Sequence, residues 1–164
     1  MKSDKWQVTG GKWMGAVLAA LMMTLVSGCS TAKPARVVDP EVATFADLAR
    51  EAYDKSNFGQ AVKLYGRALA RARAADDALE IGNNAYNMAA CLIALERYAD
   101  ARIPLREAAR EFERIGVEIS AAELLDAKAA RLDGKPDEAQ QIADRVLAEL
   151  KPGGNAAYRA QALI

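Results

Sequence analysis

The chain has 164 residues with 22 lysines and arginines, 22 aspartates and glutamates, and no histidine. This balance leaves no basic excess that would attract nucleic acid or anionic lipid head groups. The lack of histidine removes the commonest general base and the commonest transition-metal ligand. We therefore expect no catalytic residues, no metal site and no cofactor, and the length suits one folded domain.

The N-terminus has the layout of an export signal. Three lysines fall within the first 12 residues, and residues 13–26 then carry no charge. A basic segment followed by an apolar run is typical of a secretory signal peptide. The uncharged run is shorter than the roughly 20 apolar residues that a membrane-spanning helix needs, so a transmembrane anchor is disfavoured.

The apolar run ends in Val26-Ser27-Gly28-Cys29, where an ordinary signal would have an Ala-x-Ala site. This stretch resembles the lipobox of bacterial lipoproteins, which implies that Cys29 is acylated and that the chain is cleaved before it. Several acyl chains make a firm anchor, at about 0.8 kcal/mol per buried CH₂ group. Ser30 after the cysteine implies sorting to the periplasmic face of the outer membrane. The alternative is an ordinary apolar helix with a chance cysteine.

The rest of the chain is predicted to form a tether and one helical domain. We predict a signal peptide over 1–28, the acylated cysteine and a flexible tether over 29–39, and the folded domain over 40–164. The tether is rich in small, polar and proline residues without periodicity. Cys91 is the second of two cysteines, so the processed chain has no intramolecular disulfide. Its apolar surroundings predict a buried, inert thiol.

The domain is alanine-rich and has no strand-like stretch. Helices are predicted over 40–54, 58–74, 78–95, 98–115, 118–132, 136–150 and 156–164. Asp39 is a predicted N-terminal cap, and Gly116 and Gly134 are predicted C-terminal caps. Pro104 lies inside a predicted helix and should bend it, since proline removes one backbone hydrogen bond.

The helices repeat as pairs. The runs 57–69, 97–109 and 135–147 align, and each has an alanine at its fifth position, Ala61, Ala101 and Ala139. Similar first-helix runs precede them at 45–53, 85–93 and 123–131. The unit is therefore two helices, repeated three times with one helix left over. Small residues at these positions would let the paired helices approach closely.

The repeat resembles the tetratricopeptide repeat (TPR), whose pattern is W-x₂-L-G-x₂-Y followed by A-x₃-F. The matching residues are Phe45, Leu48, Ala49, Ala61, Tyr65 and Ala68 in the first unit, Met88, Ala89, Leu92, Ala101, Leu105 and Ala108 in the second, and Ala127, Ala130, Ala139, Ala143 and Val146 in the third. Asp126 stands where the pattern has a leucine. The resemblance implies a right-handed superhelix of antiparallel helix pairs. An unrelated helical bundle or another helical-hairpin repeat is the alternative.

The resemblance also implies a binding surface along the first helix of each pair. The residues predicted to bind a partner are Arg50, Tyr53 and Asp54 in the first unit, Asn83, Tyr86 and Asn87 in the second, and Lys128 and Arg131 in the third. Asparagine is a mediocre helix former, so its recurrence in 83–87 needs an explanation. Asparagine amides can bond a peptide backbone, and tyrosine can pack beside it. The alternative is a solvated polar stripe.

The acidic residues, including Asp126, are assigned to helix capping and solvation. The charged run 106–114 is interpreted as a solvated helix face with i,i+4 partners. The implied function is an adaptor that binds a protein or peptide partner in an envelope assembly, such as pilus, secretion, outer-membrane or cell-wall biogenesis. The alternatives are a structural subunit without a ligand in its groove, or a non-catalytic subunit of an envelope enzyme.

Overall fold

The computed structural model of the protein describes residues 36–150, which fold into antiparallel helices joined by short turns. They are α1 (Pro40–Asp54), α2 (Phe58–Ala74), α3 (Ala78–Ala94), α4 (Tyr98–Arg114), α5 (Ser120–Leu132) and α6 (Pro136–Glu149). Each boundary lies within two residues of its prediction, and this part of the chain contains no strand. The signal peptide, Cys29 and the helix predicted over 156–164 lie outside the described residues. None of the helices within 36–150 is long and apolar enough to cross a bilayer.

Five of the helices end in the same way. The residue after each C-terminal cap has a positive φ, at Ser56 (56°), Asp76 (49°), Glu96 (58°), Gly116 (69°) and Gly134 (76°). Across each end the next amide donates back into the last turn, as Asn57 N does to the Ala52 oxygen at 2.8 Å. This is the Schellman arrangement, which satisfies carbonyls that a helix end leaves free. The two predicted glycine caps are confirmed. The three ends without glycine were also predicted to within one residue, but the left-handed conformation of Ser56, Asp76 and Glu96 was not.

These helix ends establish which residues correspond between repeats. Residues 56 and 96 end the first helices α1 and α3, and residue 134 ends α5. Residues 76 and 116 end the second helices α2 and α4 in the same way. The offset is therefore 40 residues from the first pair to the second, and 38 from the second to the third, as the sequence predicts.

Three helices begin with the side-chain cap expected at an N-terminus. Asp39 accepts a hydrogen bond from Glu41 N at 2.9 Å, which confirms the predicted cap of α1. Asn57 caps α2 through Gln60 N at 3.2 Å, and Asp77 caps α3 through Glu80 N at 3.3 Å. Such caps stabilise a helix by about 1 kcal/mol each.

Small side chains lie where paired helices cross. Ala61 and Ala101 are 0% exposed and Ala139 is 7% exposed, so the alanines that define the sequence repeat are buried as predicted. The first helices α1, α3 and α5 also approach one another directly. The second helices α2, α4 and α6 have no Cα atoms within 8 Å of each other. The row of first helices is therefore the tighter, concave side of the stack.

A large residue and a glycine fit together between the second pair's helices. Gly82 in α3 is buried against the ring of Phe112 in α4, and an added Cβ would come within 3.0 Å of three ring atoms. The corresponding positions in the first pair hold Val42 and Ala72, which put the larger side chain on the first helix. All four lie in one core cluster or directly against it.

A buried ion pair joins the second and third repeats. Arg102 Nε donates to Asp126 Oδ1 at 2.7 Å, and Arg102 Nη2 donates to Glu138 Oε1 at 2.6 Å. The side chains of Arg102 and Asp126 are 6% and 9% exposed. Hydrogen bonds to Glu138 and Asp126 hold the pKa of the Arg102 guanidinium above its usual value. The expectation of a solvated Asp126 is therefore wrong, since this carboxylate is buried and paired with a residue 24 positions earlier.

The charged run 106–114 is only partly a solvated face. Glu107 accepts from Arg73 Nε of α2 at 2.7 Å, and Arg114 bonds Asp76 Oδ1 after α2 at 3.0 Å. Phe112 is buried. The predicted i,i+4 partners are wrong, because these ion pairs connect different helices or, for Glu111 with Arg114, residues three apart.

Helix α4 runs through Pro104 without ending. The ring of Pro104 is buried, and the carbonyl that loses its donor belongs to exposed Asp100 in the first turn. Water can satisfy an exposed carbonyl, which reduces the usual cost of an internal proline. The bend expected at this residue stays a prediction.

Candidate partner-binding surface

The residues predicted to bind a partner lie on three parallel helices. Helix α1 carries Arg50, Tyr53 and Asp54, α3 carries Asn83, Tyr86 and Asn87, and α5 carries Lys128 and Arg131. We call these eight residues the first-helix surface. All of them are exposed or partly exposed, so none is consumed entirely by the core.

The ends of α1 and α5 present charged and aromatic groups. Arg50 lies 3.7 Å from the carboxylate of Asp47, and both side chains are largely exposed. Tyr53 is 42% exposed and packs edge-on against Phe58, with ring centroids 5.3 Å apart. Lys128 and Arg131 are exposed on α5. These groups can offer hydrogen bonds and one aromatic edge to a partner.

The three asparagines of α3 differ in their exposure to solvent. Asn84 is 1% exposed, and its side-chain nitrogen donates to the Glu80 carbonyl at 2.8 Å. Asn83 and Asn87 are partly exposed on the same helix, one turn apart. Tyr86 between them packs partly against two core clusters. The sequence prediction named Asn83 and Asn87, which share a helix face, and left Asn84 out; the structure buries Asn84 and leaves the other two side chains partly exposed.

The predicted residues do not converge at one level of the stack. Arg50 corresponds to Ala90 on α3 and to Lys128 on α5, near the C-terminal ends of the three helices. Asn87 and Asn83 lie closer to the N-terminus of α3 by about 5–10 Å, at 1.5 Å per residue. The first-helix surface is thus an extended track of amides and charges, which suits an elongated ligand better than a compact one.

Sequence reasoning missed a second concave feature. A cavity of about 380 Å³ opens between α4 and α6, with α5 as its floor. Arginines Arg102, Arg106, Arg110 and Arg145 line it together with carboxylates. Its signal in the sequence is the four-residue spacing of three arginines on α4, part of which we assigned to a solvated face.

Cys91 is not available for chemistry at either feature. The thiol is 0% exposed, and burial raises its pKa to about 11. Thiolates are the reactive form of cysteine, so this residue is an inert core group, as predicted. Among residues 36–150, no three histidine, cysteine or carboxylate side chains are grouped so as to hold a metal ion.

Two solved structures are similar to this chain. The TPR domain of Arabidopsis FLU matches with a TM-score of 0.62 and 18% sequence identity, over 66% of this chain and 92% of that one. The N-terminal domain of stress-induced protein-1 (STI-1) from C. elegans matches with a TM-score of 0.63 and 17% identity, over 77% of this chain and 97% of that one. No protein-family model and no curated protein matches the sequence. Paired helices, buried crossing alanines and these two likenesses together show that the chain has the fold of a TPR domain.

Proposed function

We propose that the chain is a lipid-anchored adaptor of the bacterial cell envelope, in which the first-helix surface binds a protein partner. Acyl chains on Cys29 hold the adaptor on the periplasmic face of the outer membrane, and the tether leads to the helical domain. The lipobox-like stretch ending at Cys29 supports the anchor. The TPR fold supports an interaction role, since stacked helix pairs create extended concave surfaces used for binding.

The binding proposal rests mainly on the exposure of the asparagine side chains of α3. Asn83 and Asn87 remain partly exposed on a first helix, while Asn84 between them is buried and donates to a carbonyl of its own helix. A helix that needed only solubility could use better helix formers at these positions. The exposed amides offer both donors and acceptors, which match the backbone groups of an extended peptide.

Capture from detergent-solubilised envelope membranes tests this surface. The bait is the purified chain, compared with a variant carrying Asn83→Ala and Asn87→Ala. Both residues are partly exposed, so circular dichroism should show an unchanged fold. If each amide contributes about 1 kcal/mol to binding, a partner should be recovered at least about 10-fold less by the double variant.

The matched control is Gln141→Ala, which removes an exposed amide from α6 on the opposite row of helices. Capture should be the same for this control and the parent. A partner that both asparagine substitutions leave fully bound would show that the first-helix surface is not the binding site.

The anchor is tested separately by labelling cells with radioactive palmitate. We expect label on the parent chain, none on a Cys29→Ser variant, and parent protein in the outer-membrane fraction. A parent chain that never acquires label would refute the anchor and would leave the binding surface unaffected.

A further inference from the structure

The cavity between the second helices differs from its counterpart one repeat earlier. Between α2 and α4, the ion pair of Arg73 Nε with Glu107 Oε1, at 2.7 Å, bridges the two second helices. The corresponding residues between α4 and α6 are Glu113 and Arg145, and the described residues show no ion pair between them. Arg145 instead reaches down to Glu123 Oε1 on the floor, at 2.9 Å. An ion pair equivalent to that of Arg73 with Glu107 is therefore missing between α4 and α6.

The residues on α5 that form the floor of this cavity also differ from their counterparts on α3. Glu123 and Asp126 on α5 correspond to Ala85 and Met88 on α3, which belong to or pack against apolar clusters. Burial raises the pKa of Glu123, and Arg145 partly compensates for the loss of water around it. The cavity, with a volume of about 380 Å³, is thus lined by charged groups at positions where the preceding repeat has apolar packing. We call it the second-helix groove.

Two arginines on its wall have no partner of their own. Arg106 and Arg110 are exposed on α4, and neither forms an ion pair or hydrogen bond with any described residue. Their counterparts on α2 are Gly66 and Ala70, so both charges are specific to this groove. The other two arginines in the groove are already occupied, Arg102 by Asp126 and Glu138 and Arg145 by Glu123.

The opposing charges leave room for an anionic ligand. Glu138 is half-exposed and bonded to Arg102, while Arg106 acts on it at longer range. Glu113, at the far end of the groove, is exposed and unpaired among the described residues. Four arginines and four carboxylates line the groove, and the groups among them that form no ion pair are Arg106, Arg110 and Glu113, so the unpaired groups carry one net positive charge.

The spacing of the two arginines selects the kind of ligand. One turn of helix separates them by about 6 Å along α4. Alternate side chains of an extended peptide project from the same face about 6.6–7 Å apart. From Arg102 to Glu113 the wall is about 16 Å long, which is the length of about five extended residues. A single phosphate or carboxylate would cover one arginine and leave the rest of the groove empty.

We propose that the second-helix groove binds an extended acidic peptide, with glutamates or aspartates at alternate positions paired to Arg106 and Arg110. Guanidinium groups recognise carboxylates through two parallel hydrogen bonds, which gives each pair a defined geometry. This site lies on the row of helices away from the first-helix surface, and it does not depend on the proposed function of that surface.

Fluorescence anisotropy with the full chain in detergent tests the site. The probe is a labelled peptide, Ala-Glu-Ala-Glu-Ala, with blocked ends. Arg106→Gln and Arg110→Gln should each weaken its binding about fivefold, and the double substitution about 25-fold, as expected for partly exposed ion pairs. Both side chains are exposed, so the substitutions should not change the helical content.

Lys63→Gln is the matched control, because it removes an exposed positive charge from α2, outside both the second-helix groove and the first-helix surface. This variant should bind the probe as the parent does; equal weakening would show that any exposed cation contributes equally and would overturn the proposal. A peptide with adjacent glutamates, Ala-Glu-Glu-Ala-Ala, should bind at least about threefold more weakly. Equal affinity for both peptides, or displacement of the probe by equimolar inorganic phosphate, would show general attraction of anions and would also overturn it.

Discussion

The buried ion pair between Arg102 and Asp126 can be replaced by the apolar residues that occupy the same positions one repeat earlier. The corresponding residues one repeat earlier are Val62 and Met88, which pack against the same core clusters. We therefore compare Asp126→Met alone with a double variant that carries Arg102→Val and Asp126→Met. The combined size of the two new side chains is similar to that of the pair they replace.

The single substitution should be strongly destabilising. It removes one partner from a guanidinium whose side chain is 6% exposed and leaves only Glu138, whose side chain is 47% exposed. Breaking a buried ion pair costs about 3–5 kcal/mol, and the remaining partner places this case near the lower end. The double variant removes both buried charges, so its unfolding free energy should lie within about 1 kcal/mol of the parent or above it.

Urea unfolding followed by far-ultraviolet circular dichroism measures the difference. A loss of about 3 kcal/mol lowers the midpoint by about 1–3 M urea for a domain of this size. Helix pairs in a repeat protein contact only their neighbours, so a weakened junction should let α5 and α6 unfold first. Hydrogen exchange should then be faster in α5 and α6 of the single variant and unchanged in α1 and α2.

An exposed pair provides the control. Arg114→Gln breaks the contact with Asp76, whose side chain is 82% exposed, and should change stability by less than about 1 kcal/mol. If the double variant proved as unstable as Asp126→Met, the two junctions would not be equivalent and the comparison between repeats would fail. A single variant as stable as the parent would show that the pair contributes nothing to the junction.

Three further substitutions test the packing and the helix ends. Gly82→Ala should destabilise the fold by about 1–2 kcal/mol in thermal unfolding, because the new Cβ would press on the Phe112 ring. Gly66→Ala, whose Cβ would meet its nearest neighbour at 3.8 Å, should stabilise it by about 0.5–1 kcal/mol. Glu96→Gly should raise the urea midpoint, since a residue with φ of 58° gains about 1 kcal/mol as glycine. Cys91 should react with iodoacetamide only as the chain unfolds, in a variant whose other cysteine is serine.

Specific results would contradict these predictions. Stabilisation by Gly82→Ala would mean that Phe112 moves aside freely and that the two helices are not closely packed there. A lower midpoint for Glu96→Gly would show that its side chain makes a contact worth more than the backbone strain. Rapid alkylation of Cys91 in native buffer would show local opening between α2 and α3.

Helix boundaries could be predicted because their signals are local. Asp39 precedes a proline and an acid, and Gly116 and Gly134 follow charged helix ends. The residues that signal each boundary therefore lie within a few positions of it. Glu96 also ends a helix in the left-handed conformation, yet glutamate carries no such signal. The helix end at 95 was predicted, but the left-handed conformation of Glu96 becomes evident only from its equivalence to Ser56, 40 residues earlier.

The candidate sites could be predicted only in part, because partners across helices are not encoded locally. The repeat pattern marks Asp126 as unusual, but it does not name Arg102, which lies 24 positions earlier on another helix. In α3, by contrast, helical spacing alone separates Asn83 and Asn87 from Asn84, because residues four apart share a face. What the sequence could not predict is that Asn84 is buried and donates to the Glu80 carbonyl.

Departures from the repeat give a physical criterion for function in this chain. Conserving the fold requires only that crossing alanines stay small and that junctions stay filled, and the first junction meets this with Val62 and Met88. The second junction instead holds buried charges. Buried ion pairs are often no more stabilising than well-packed apolar residues of similar volume. If the double variant is as stable as the parent and still loses affinity for the acidic peptide, the charged junction serves to keep the second-helix groove open. If affinity is unchanged, Arg106 and Arg110 suffice and the buried pair sets only the packing of the third repeat.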